Sequence, residues 1–112
     1  MDDNMEKIMN DIFSNEAYLL RTSVSGDTIT IYLPERVETN NADKILKDIE
    51  KNITDSGCDN IVFDCTGTKY VSSAGLRVFM RVYKSHSSVK FINLTEEVTE
   101  IFDITGFINI FL

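Results

Sequence analysis

Residues 61–76, IVFDCTGTKYVSSAGL, constrain this chain more than any other stretch. The apolar run Ile61-Val62-Phe63 has the pattern of a buried central strand. Polar residues follow, then Ser72 and Ser73, then Ala74, Gly75 and Leu76, where apolar residues resume at helical spacing. A central strand feeding a helix calls for a sheet with a parallel portion and helices packed on it. The junction also sets two hydroxyls where a helix begins, beside backbone N–H groups that lack helical partners. A phosphate is welcome at such a place.

The rest of the chain extends the alternation. Met5, Ile8, Met9, Ile12 and Phe13 predict a short amphipathic helix over residues 3–13. A first strand is expected over 18–23. Gly26-Asp27 turns it into a second strand, with Ile29, Ile31 and Leu33 inward and Thr28, Thr30 and Tyr32 outward. Pro34 stops that strand, and residues 35–39 read as a polar loop. Thr39, Asn40 and Asn41 offer caps for a helix that buries Ala42, Ile45, Leu46, Ile49 and Ile53 and closes at Ser56-Gly57. Beyond the central strand, Leu76, Phe79, Met80 and Tyr83 form one helical face, widened by Val78 and Val82. A strand is expected over 89–94. Thr95 then caps a helix carrying Val98, Ile101 and Phe102, which Gly106 ends, and the apolar residues 107–112 suggest a last strand. The predicted fold is α/β: a mixed β-sheet with helices packed mainly on one face, plus a short N-terminal helix. The expected division is a helical extension over 1–16 and one domain over 17–112.

Composition narrows the function. One domain accounts for 112 residues, and a net charge of −7 repels nucleic acid and anionic membrane. The opening Met1-Asp2-Asp3-Asn4 lacks the basic and apolar regions of a secretory signal. No apolar run approaches ~20 residues, so a cytoplasmic chain is expected. Cys58 and Cys65, with the single histidine His86, make no zinc spacing, and a disulfide across one short strand is not expected. Neither a metal nor a cofactor is expected.

Catalytic arrangements are equally sparse. His86 sits in a Ser-rich loop, expected to be solvent-exposed, without the neighbours a hydrolytic triad needs. GxSxG, GxGxxG and the P-loop are all missing. Asp64, at a strand end, is the best candidate for a perturbed carboxylate, and a loop-capping role suits it better. Ser72 and Ser73 remain. One of them caps the helix, and either one, flanked by the small Ala74 and Gly75, is open to another enzyme. A phosphate there would be held by the helix start, with Arg77 one turn on.

Three stretches in order resemble one family. YVSSAGLRVFMRVYK at 70–84, PERVETNNA at 34–42 and IFDITGF at 101–107 resemble the STAS domain of bacterial anti-sigma factor antagonists, over residues 17–112. By that resemblance Ser73 falls on the phosphorylated serine. Ser72 falls where many members carry aspartate, which makes it a competing acceptor. Glu38 falls on an acidic docking position, with glutamate in place of the commoner aspartate. The partner-binding surface it implies comprises Glu38, Thr39, Ser72, Ser73, Ala74, Gly75, Leu76 and Arg77.

The resemblance implies a switch. The unphosphorylated chain captures a serine-kinase anti-sigma factor of the GHKL type and so frees a sigma factor for transcription. Phosphorylation separates the pair, and a PP2C-type phosphatase resets it. The chain is then a substrate and not an enzyme. The alternative is an unmodified interaction module of the same fold, in which both serines serve only the helix start.

Overall fold

The computed structural model describes residues 19–111. The expected N-terminal helix over 3–13 lies outside the described residues. The chain enters a hairpin, β1 (Arg21–Ser25) and β2 (Thr28–Tyr32), through Gly26 at φ 59°. Only a residue without Cβ adopts that conformation freely. Helix α1 (Ala42–Ser56) crosses to β4 (Asn60–Asp64), and α2 (Ser73–Ser85) crosses to β6 (Ser88–Ile92). The sheet order is β1-β2-β4-β6; β1 pairs antiparallel with β2, and the other two pairings are parallel. Helices α3 (Glu96–Thr105) and α4 (Ile108–Phe111) complete the chain.

The strand alternation decides which face is covered. Ile29, Ile31, Ile61, Phe63 and Phe91 are buried beneath the helices, with Ile45 and Ile49 from α1, Phe79 and Val82 from α2 and Phe102 from α3. Phe91 organises this layer, its ring centroid 5.0 Å from Phe63, 5.1 Å from Phe79, 5.5 Å from Phe102 and 4.7 Å from Phe111. Rings at these separations add attraction beyond the area they bury. Across the opposite face, the row Thr30, Val62, Lys90 is half-buried to exposed. The central strand is thus covered fully on one face only, which corrects the reading of Val62 as core.

The architecture is the mixed α/β sheet that the sequence predicts, with several local differences. Residues 35–39 are not a plain polar loop. Arg36–Val37 forms strand β3, paired parallel with β5 (Tyr70–Val71), and Val37 and Val71 are both buried. The apolar end is helix α4 and not a strand, because the Phe111 N–H reaches the Phe107 carbonyl at 3.0 Å and the two rings stack 5.3 Å apart. The first strand runs over Arg21–Ser25, with Leu19 and Leu20 outside it, and residue 18 of the expected strand lies outside the described residues. On α2 the buried face is Gly75, Leu76, Val78, Phe79 and Val82, while Tyr83 sits at its margin, partly exposed with its ring edge-on to Phe111 at 5.6 Å.

The start of α1 also differs in detail. Asn41 is its N-cap residue, yet its side chain makes no cap bond. Its Oδ1 accepts from the Glu38 N–H at 2.9 Å, and its Nδ2 donates to the Arg36 carbonyl at 2.8 Å. The carboxamide thereby ties β3 to the turn that carries Glu38.

Candidate functional site

The small sheet β3–β5 aims the serines. The Ser72 N–H donates to the Val37 carbonyl at 2.9 Å, the last rung of that pairing. Ser72 is extended (φ −86°, ψ 178°), and its hydroxyl accepts from the Gly75 N–H at 3.4 Å. Its carbonyl accepts from the Leu76 N–H at 2.9 Å. Ser72 is therefore the cap. Ser73 is the first residue of α2, is exposed, and among the described residues its hydroxyl has no hydrogen-bond partner. The sequence left open which serine caps; the backbone assigns the cap to Ser72 and leaves the Ser73 hydroxyl unengaged.

Gly75 explains how β3 comes so close. A Cβ on it would lie 2.6 Å from the Val37 carbonyl oxygen and 2.8 Å from Val71 Cγ1. Only glycine lets the first turn of α2 rest against the strand pair. Gly75 is buried by this packing. Leu76 is likewise in the core at 5% exposure. Ala74 is half-buried, and Arg77 and Thr39 are exposed.

Glu38 stands just beyond β3 on the same side of the fold as the helix tip. It is half-buried and ion-paired to Arg36 Nε, and the Arg36 guanidinium lies 4.6 Å from the centre of the Tyr70 ring. The hydrogen bond and charge of Glu38 hold the Arg36 guanidinium above its ordinary value. Pairing with Arg36, whose guanidinium lies over the Tyr70 ring, restrains the Glu38 carboxylate. A groove of about 330 Å³ runs from this tip between α1 and α2, with Ala42, Leu46, Ala74 and Val78 along its floor. Arg77 and Arg81 line it from α2, and Asp43 and Thr39 line it from the α1 side. Arg81 and the groove went unnoticed in the sequence, although two arginines four apart on a predicted helix were a usable signal.

The remaining candidates are structural. Asp64 is buried and accepts from the Thr66 N–H and hydroxyl at 2.9 and 2.5 Å and from Asn93 Nδ2 at 3.1 Å. Burial pushes its carboxyl up, but the bonds from Thr66 and Asn93, with the charge of Arg21, outweigh this and hold it below its ordinary value. It caps the loop, as its sequence position suggested. Burial first, and then the Asp64 charge, pushes the Cys65 thiol up to about 12, so it is no nucleophile at neutral pH. Cys58 and Cys65 are both free. His86 caps the far end of α2, half-buried rather than exposed, roughly 20 Å along the helix from the serines. Among the described residues there is no group of three or more His, Cys, Asp or Glu side chains able to hold a metal ion. No helix of the described residues is long and apolar enough to cross a membrane.

Comparison with known proteins meets this geometry. A search of curated protein sequences found no match. Among solved structures, the fold resembles an anti-sigma factor antagonist from Mycobacterium paratuberculosis, with TM-score 0.72, 14% identity and 86% of each chain covered. The anti-sigma factor antagonist SpoIIAA in its unphosphorylated form gives TM-score 0.59 at 17% identity, over 78% of this chain and 80% of that one. The murine anion transporter Slc26a9 gives TM-score 0.62 at 12% identity, covering 89% of this chain but 20% of the transporter. At these identities the likenesses concern the fold. The family model for the STAS domain matches residues 20–112. With that match spanning most of its length, the chain belongs to the STAS domain family.

Proposed function

We propose that this chain is an anti-sigma factor antagonist that works by partner switching, with Ser73 as the phosphate acceptor. The observation that carries the reading is the Ser73 hydroxyl: exposed, without a partner among the described residues, and set beside a cap already supplied by Ser72. In its unphosphorylated form the chain captures a serine-kinase anti-sigma factor of the GHKL type. Glu38, Thr39, Ser72, Ser73, Ala74 and Arg77 form the contact surface. The bound kinase transfers a phosphoryl group to Ser73, the complex separates, and a PP2C-type phosphatase restores the hydroxyl. The chain acts in the cytoplasm as a substrate and regulator.

The physics supports such a switch. A phosphate adds roughly −1.5 to −2 charges, which the first turn of α2 accommodates without unfolding. Inside a complex covering that tip, the same dianion would have to leave water. A loss of about 3 kcal/mol weakens binding more than 100-fold. Likeness to the antagonist SpoIIAA, solved in both unphosphorylated and phosphorylated forms, also favours this reading.

A second reading keeps the fold as an unmodified interaction module, favoured by the occurrence of the same fold within a transporter. Incubation with the cognate kinase and ATP separates the two. Partner switching predicts a mass gain of about 80 Da confined to Ser73, and retention of the kinase by wild type and Ser73→Ala but not by Ser73→Asp. No mass gain, with Ser73→Asp retaining its partner, would leave the module reading in place.

A further inference from the structure

Charge is divided unevenly among the helices. The segment SAGLRVFMRVYKS of α2 carries Arg77, Arg81 and Lys84 and no carboxylate, in a chain whose net charge is −7. Helix α3 holds Glu96, Glu97, Glu100 and Asp103 and no base. Among the described residues, Arg77 and Arg81 enter no ion pair or hydrogen bond through their guanidinium groups. They stand one turn apart on the α2 rim of the groove whose floor is Ala42, Leu46, Ala74 and Val78.

An apolar floor beneath two unpaired guanidinium groups fits one kind of occupant. It would bring apolar side chains to the floor and carboxylates to the rim, as an acidic amphipathic segment of a partner protein does. Planar guanidinium forks match carboxylates with two parallel hydrogen bonds. Asp43 on the α1 rim repels a carboxylate there, which directs acidic groups to the α2 side. Ala74, the residue after Ser73, lines the groove. Ser73 and Arg77 are four residues apart on one helix, the spacing that brings side chains together across a turn.

We infer that Arg77 and Arg81 bind the acidic side chains of a partner segment laid in the α1–α2 groove, and that a phosphate on Ser73 captures Arg77 and so vacates that site. The inference rests on Ser73 being the acceptor, as proposed above. It adds a second route to release: the phosphate both repels the incoming carboxylates and removes one of their two ligands. Arg81, a turn further on, keeps part of the attraction, so release is graded by the charge of the partner.

The test uses the full chain and needs no kinase. Isotope-labelled protein is titrated with a synthetic amphipathic peptide bearing leucines on one face and glutamates on the other. Controls are the same peptide with lysines for glutamates and a single-stranded DNA oligonucleotide. The glutamate peptide should shift amides around residues 39–46 and 74–81, and the controls should not. Arg77→Gln and Arg81→Gln, both at exposed positions, should each weaken it about 10-fold. A phosphate installed synthetically on Ser73 should weaken it by a similar or larger factor in wild type and far less in Arg77→Gln. Its second phosphorus titration should move upward in Arg77→Gln. Stronger binding of the DNA, equal binding of the lysine peptide, or an equal phosphate effect in both backgrounds would overturn the inference. Failure of a kinase to modify Ser73 would instead count against the acceptor assignment, and these readings would be unaffected by it.

Discussion

Replacing Gly75 with alanine tests how the switch region is built. Two effects oppose. Alanine inside a helix gains about 1 kcal/mol over glycine from backbone propensity. The new methyl would meet the Val37 carbonyl oxygen at 2.6 Å, Val71 Cγ1 at 2.8 Å and Val37 Cγ1 at 3.0 Å. Two of these contacts are below any ordinary separation, and one is to backbone. The carbonyl cannot retreat freely, because it accepts the Ser72 N–H at 2.9 Å. Overpacking costs about 1–3 kcal/mol and a weakened hydrogen bond about 1 more. The net expectation is a loss of about 1–3 kcal/mol, or a Tm lower by roughly 5–15 °C for a domain of this size. Urea unfolding of Gly75→Ala beside Gly67→Ala is the assay. A Cβ at Gly67 meets nothing within 4 Å, so that variant should stay within about 0.5 kcal/mol of wild type. A Gly75→Ala protein as stable as wild type would refute the close approach of β3 to α2.

Three further outcomes follow from the same geometry. Ser72→Ala should lose about 1 kcal/mol of stability in denaturant unfolding as its cap disappears, whereas Ser73→Ala should be nearly neutral; equal losses would contradict the division of roles. Asp64→Asn should be less stable than wild type at pH 7. A carboxyl held below its unfolded value stabilises fully above the unfolded pKa and less as pH falls through the folded one, so the gap should narrow below about pH 4; a gap constant with pH in thermal scans would contradict it. Cys58 and Cys65 should resist a thiol reagent until the protein unfolds, and rapid labelling of folded protein would contradict their burial.

What the sequence made legible was local. Ile29 and Ile31 alternate cleanly with threonines, and Ala42, Ile45, Ile49 and Ile53 repeat at helical spacing, so the hairpin and α1 declared themselves. Gly57 and Gly106 marked helix ends by the left-handed conformation they adopt. Strand β3 stayed hidden because one buried valine among charged residues has no period, and its partner Val71 is far along the chain. The short run 107–112 suits a strand or a helix equally by pattern, and ring packing of Phe111 on Phe91 and Phe107 decides it. Both serines are good caps by type. Which one caps depends on where β5 ends, fixed by the bond from Ser72 to Val37. The groove required two helices side by side, so Leu46 and Val78, which pack in or against the core, gave no sign that they also line it.

The central claim is tested most directly by the dissociation constant of the kinase partner for the chain with and without a phosphate on Ser73. The account predicts a rise of at least 100-fold on phosphorylation, with the domain still folded. Equal affinity for the two forms would contradict it.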